Sequence, residues 1–136
     1  MSVNISAMNQ YNTIDLRSAV ATASPHELIA MLYDGALRAL ATAKGCIERK
    51  EIESRTKHLN KANSIILALQ DFLDFEKGGE VSENLGALYD YMTRVIMQAN
   101  MDQDADKIQE VIDLLLQLKI GWNGMPLDVK MNKKNA

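Results

Sequence analysis

The chain has 136 residues, 47% hydrophobic and 24% charged, with 7 Gly, 2 Pro and 1 Cys. That is room for a single domain. Scarce glycine and proline exclude a loop-rich or all-β fold, and a lone cysteine excludes an internal disulfide. A formal net charge of -3 gives no whole-protein attraction to nucleic acid or anionic lipid. No apolar run is long enough for membrane insertion, and the start lacks the charged and apolar regions of a signal peptide, so a cytosolic protein is expected.

Residues 1–23 read as an N-terminal arm. Tyr11, Ile14, Leu16 and Val20 give it apolar character without a clean period, which suits either a docking segment or a frayed terminus. Ser24 then reads as an N-cap, Pro25 as the first helical residue and Glu27 as the third, the pattern of a capping box. A first helix is expected from 25 to about 50, with Leu28, Leu32, Ala36, Ala39, Ala43 and Ile47 at helical steps. Beside them runs a small-residue stripe, Gly35, Ala39, Ala43 and Cys46. Glycine inside a helix costs ~1 kcal/mol relative to alanine, so Gly35 is expected to serve packing or binding.

The second helix is expected from about 54 to 75. It carries two seams, Leu59-Ala62-Ile66-Leu69-Leu73 and Ile65-Ala68-Phe72-Phe75, the broad face that a bundle helix needs. Gly78-Gly79 is expected to stop it. A third helix is expected from 82 to about 100, along Leu85, Leu88, Met92, Val95 and Ala99, with Asn100 as the residue that turns left-handed after it. The fourth is expected from about 104 to 122, along Ile108, Val111, Leu115, Leu118 and Trp122, with an Asp-rich start that suits the helix dipole. The fold class is therefore all-α: an antiparallel up-down four-helix bundle over 24–122, with the arm packing on it and a flexible tail over 123–136.

Catalytic and metal patterns fail one by one. His26-Glu27 opens like a zinc-protease helix, but Ala30 stands where the second histidine belongs. Neither His26 nor His58 has the glutamate three residues earlier that a di-iron bundle requires. Asp102-x-Asp104-x-Asp106 starts like a calcium loop, but Lys107 and Asp113 occupy the glycine and glutamate positions, so an acidic helix start is the reading. His58 with Lys61 at i+3 and Ala62 at i+4 resembles the site of histidine phosphotransfer domains; an exposed imidazole and a lysine would suit a phosphoryl group. An ordinary surface histidine is the simpler alternative. Cys46, inside an apolar helix, reads as a buried thiol. No enzyme and no cofactor are expected.

The pattern points instead to binding. The second and fourth helices carry more apolar positions than one core seam needs, and flexible thioethers such as Met31, Met92, Met97 and Met101 suit adaptable contacts. An apolar groove accepting amphipathic helices would use such a surplus. Packing on the arm, or in a weak homodimer, would use it equally well.

The run Thr22-Ala23-Ser24-Pro25-x-Glu27-Leu28-Ile29-x-Met31-Leu32-Tyr33-Asp34-Gly35 resembles the opening helix of the flagellar secretion chaperone FliS family. So do Gly78-Gly79-Glu80-Val81, Asn84-Leu85-x-x-Leu88-Tyr89-Asp90-Tyr91-Met92 with Ala99-Asn100, and Leu114-Leu115-x-x-Leu118-x-x-x-Trp122. The likeness covers Tyr11 to Trp122. It implies a cytosolic chaperone that binds the disordered C-terminal segment of flagellin, prevents premature polymerisation and delivers it, client bound, to the flagellar export gate. It further implies that Tyr11 anchors the arm, and that Leu28, Met31, Leu32, Tyr33, Leu85, Leu88, Tyr89 and Met92 form the flagellin-binding surface. Tyr11, Tyr33 and Tyr89 are expected to be partly exposed, with Tyr89→Ala weakening client binding more than folding. Lys119-Ile120-Gly121 departs from the family's charged run, so the fourth helix is expected to fray early near Trp122.

Overall fold

The computed structural model describes residues 24–125, which fold into α1 (Pro25–Glu48), α2 (Ile52–Asp71), α3 (Phe75–Asp102) and α4 (Ala105–Gly124). Tyr11, the expected arm and the tail beyond Met125 lie outside the described residues.

Short-range chemistry fixes the helix ends. Ser24 lies in extended backbone and its Oγ accepts the Glu27 N–H at 3.4 Å, with Pro25 opening α1. That helix closes with Lys50 in the left-handed region (φ 58°), while the Lys50 N–H bonds to the Ile47 carbonyl and the Glu51 N–H to that of Cys46. These two bonds satisfy carbonyls that would otherwise be orphaned at the helix end. Asp104 opens α4 by accepting the N–H groups of Asp106 and Lys107.

Three expected boundaries move. First, α2 ends at Asp71, before the glycine pair, because Asp74 caps a new helix by accepting the Lys77 N–H at 3.0 Å. Gly79 (φ 52°, ψ -126°) then breaks α3 internally, in a conformation open to glycine and strained for other residues. Ser82 bridges the break, its Oγ donating to the Asp74 carbonyl at 3.0 Å. Second, α3 runs past Asn100 to Asp102, and Gln103 (φ 54°) is the left-handed residue. The Asn100 side chain is engaged sideways, its Oδ1 accepting from Nε of the buried Arg55 at 2.8 Å and from Thr56 Oγ1 at 3.3 Å. Third, α4 does not fray at Lys119-Ile120-Gly121. Lys119 is ion-paired with Asp34, and buried Trp122 donates its indole N–H to the His26 carbonyl at 3.1 Å.

Each helix packs on its two neighbours: α1 on α2 and α4, α3 on α2 and α4. This closed ring is the expected antiparallel up-down bundle. Its centre is fully buried carbon, including Leu40, Leu59, Ile66, Met92, Ile96, Ile108 and Leu115, each contributing about 1.5–3 kcal/mol by leaving water. Cys46 is buried, its thiol directed at Ser54 Oγ (3.3 Å). No described helix is long and apolar enough to cross a membrane.

Candidate docking groove between the first two helices

A groove of about 390 Å³ runs between α1 and α2. Its origin is the small-residue stripe. Where α1 presents Gly35 and Ala39, α2 comes so near that a Cβ on Gly35 would lie 3.3 Å from Ile65 Cδ1. Small residues let two backbones approach closely, and they also leave the surface above them unfilled. Leu28, Met31 and Leu32 on α1 and Ile65 on α2 line the groove with carbon. Arg38, Thr42, His58 and Lys61 bring polar groups to it, and Asp34 is held by Lys119 of α4 at 2.5 Å.

The structure divides the expected flagellin-binding residues. Leu28, Met31 and Leu32 come together in the groove, with Leu32 also packed against the core. Leu85 and Leu88 are half-buried against the core and do not line it, and Met92 is fully buried. The expected partial exposure of Tyr33 and Tyr89 is overturned: they are 4% and 2% exposed. Their hydroxyls share a hydrogen bond of 2.7 Å across the bundle, so each satisfies a polar group that would otherwise need water. Burial pushes both phenol pKa values above the usual range. Tyr89→Ala would accordingly remove a buried core side chain, so a sizeable loss of stability is expected of it as well. Of the expected small-residue stripe, Ala43 and Cys46 belong to the core and not to the groove.

The residues not foreseen in the groove are Asp34, Arg38, Thr42, His58, Lys61 and Ile65. A signal for three of them exists. The second apolar seam of α2 begins at Ile65, and stepping it backwards by four and then three residues passes through Lys61 and His58. Polar at those positions, the seam looks as if it ended. His58 is thus half-buried beside a carbon-lined groove, with Lys61 on the same side of the helix.

Between α3 and α4 lies a smaller hollow of about 260 Å³ lined by Tyr91, Arg94, Val95, Gln98, Lys107 and Glu110. Most of its polar groups have side-chain partners, while Arg94 has no ion pair among the described residues. Tyr91 donates its hydroxyl to Glu110, and Asp102 accepts from Lys107 and Gln98, both at 2.8 Å.

Residues 7–128 match the protein family described as "Flagellar protein FliS". The chain is 41% identical over 119 residues to the flagellar secretion chaperone FliSB of Pseudomonas aeruginosa, covering 88% of this chain and 94% of that one. It is 44% identical over 118 residues to the flagellar secretion chaperone FliS of Salmonella typhimurium, covering 86% and 87%. To its counterpart in Vibrio cholerae it is 32% identical over 120 residues, covering 88% of each.

Proposed function

The chain belongs to the FliS family of flagellar proteins, and from that premise we propose that it is a cytosolic export chaperone for the disordered C-terminal segment of flagellin. The observation that carries the reading is the α1–α2 groove, the larger and more carbon-lined of the two hollows described. A disordered client loses conformational entropy on binding, and burial of its apolar stripes must offset that loss. An amphipathic helix laid into a groove achieves this. While bound, those stripes are withheld from other subunits, so polymerisation waits until the client reaches the export gate.

In this reading Leu28, Met31 and Leu32 contact the client directly. Tyr33, Tyr89 and Met92 hold the helices that carry the groove. His58 is a groove side chain and not a phosphoryl acceptor. The activity needs no catalytic group, no cofactor, no nucleic acid and no membrane insertion.

The test is a calorimetric titration with a synthetic peptide of the C-terminal segment of flagellin from the same bacterium. One-to-one binding with a negative heat-capacity change is expected, the signature of apolar burial. No heat at two temperatures, together with no co-elution on gel filtration, would sink the reading.

A further inference from the structure

Charge along the α1–α2 groove is one-sided. Arg38 comes from α1 and Lys61 from α2, and the His58 side chain also lines the groove. Among the described residues lining it, the one carboxylate is Asp34, and Lys119 of α4 already neutralises it at 2.5 Å. No described carboxylate pairs with Arg38 or Lys61. Several cations elsewhere are partnered, Lys107 with Asp102, Arg49 with Glu51, Arg55 with Asn100 and Lys44 with Gln109. Among the described residues Lys50, Lys57, Lys77 and Arg94 stand without an ion pair, but they do not line the carbon-walled groove between α1 and α2. The whole chain is net negative at -3, so cations at the groove are not a reflection of a basic protein.

Resting on the chaperone reading above, we infer that the groove takes an amphipathic helical segment carrying acidic side chains along one edge, and that Arg38 and Lys61 select that edge and set its register. The apolar lining cannot set register by itself. A helical stripe slid by one turn, ~5.4 Å, replaces one aliphatic contact with another at little cost. A carboxylate slid by the same distance leaves its cation. The two cations stand on opposite helices, so a segment lying along the groove meets one on each side. Arg38 contributes a planar fork that can hold a carboxylate in bidentate fashion, and Lys61 a compact charge. Both side chains belong to exposed residues, so the pairs form in partial contact with water and favour orientation and speed of encounter over raw affinity.

The experiment uses the full chain and two peptides: the C-terminal segment of flagellin from the same bacterium, and the same peptide with every Asp and Glu changed to Asn and Gln. The amide peptide is expected to bind about tenfold more weakly. The double variant Arg38→Gln with Lys61→Gln should bind the native peptide about tenfold more weakly and lose the distinction between the two peptides. Affinity of the unaltered protein for the native peptide should fall as salt rises from about 50 to about 500 mM, and that of the double variant should not. Both positions are exposed, so the variant should melt with the unaltered protein; the two-peptide and salt comparisons need no variant. Equal binding of both peptides, or an unchanged affinity in the variant, overturns the inference while the chaperone reading stands. Failure of both peptides to bind the unaltered protein overturns the two together.

Discussion

The hollow between α1 and α2 and the hollow between α3 and α4 belong to the same bundle, at about 390 Å³ and 260 Å³, yet they are finished differently. In the α3–α4 hollow most polar groups have partners, Arg94 excepted. Tyr91 donates to Glu110, and that bond holds its hydroxyl pKa above the usual range; Lys107 and Gln98 bond Asp102 and hold its carboxyl below the usual range. The α1–α2 groove has carbon walls, a floor of small residues and cations with no described carboxylate of their own. Concavity is common to both and therefore carries no functional information. What distinguishes a surface awaiting a partner is apolar area and charge that the protein leaves unsatisfied.

Breaking that comparison starts with α1, which carries a closed and an open face. Leu40 is fully buried, so Leu40→Ala should lower stability by about 2–5 kcal/mol in urea denaturation. Met31 lines the groove outside the buried cluster. Met31→Asn should leave the melting curve in place but weaken client binding by about 2 kcal/mol, roughly thirtyfold. Asparagine is chosen over aspartate so that no new charge meets Arg38 or Lys61. In the opposite hollow, Tyr91→Phe removes a hydroxyl already spent on Glu110, and client affinity should not change. A loss there equal to that of Met31→Asn would erase the distinction between the two hollows.

Next in size is the tyrosine pair, the closed counterpart of the groove. Tyr33→Phe or Tyr89→Phe strands one buried hydroxyl and should cost about 1–3 kcal/mol of stability. The double phenylalanine variant should cost less than the sum, since nothing is then stranded. The pair also sets an alkaline limit. Both pKa values are raised by burial above 10.0, the unfolded value. The pair's contribution is therefore whole below about pH 10 and is lost progressively as pH rises beyond it, when the unfolded chain releases protons that the folded chain retains. Melting temperature against pH should fall less steeply above pH 10 in the double variant. An identical slope would mean that the pair does not control that limb.

The parts of this architecture legible in the sequence are those made by neighbours in the chain. Ser24 and Asp104 cap helices through N–H groups two or three residues away, so the pattern contains its own evidence. Gly78-Gly79 reads as a stop, and the cap that Asp74 makes four residues earlier goes unread; in the structure the cap prevails. Groove and core were harder to separate for a different reason. Leu28 and Leu32 step helically with Ala36, Ala39 and Ala43, and an apolar period says that a face is covered without saying by what. The sorting depends on distant partners. Tyr33 is buried because Tyr89, 56 residues later, takes its hydroxyl. Arg38 lies on one helix and His58 and Lys61 on another, and only the pairing of α1 with α2 gathers them around one groove.

The smallest expected effect is the most discriminating. Gly35→Ala removes a helix-propensity penalty of ~1 kcal/mol, and the new methyl meets Ile65 Cδ1 at 3.3 Å, closer than ordinary contact. That atom is the end of a flexible side chain bordering the groove, so it can yield by a few tenths of an ångström, and it yields into the groove. The variant should gain up to about 1 kcal/mol, read as a melting temperature a few degrees higher, while the raised floor should weaken client binding several-fold. A gain in stability with affinity unchanged would mean that the client rides on Leu28 and Met31 above the floor. A loss of stability would mean that Ile65 cannot move, and that the small-residue stripe serves the close approach of α2 in its own right, with the groove following from that packing.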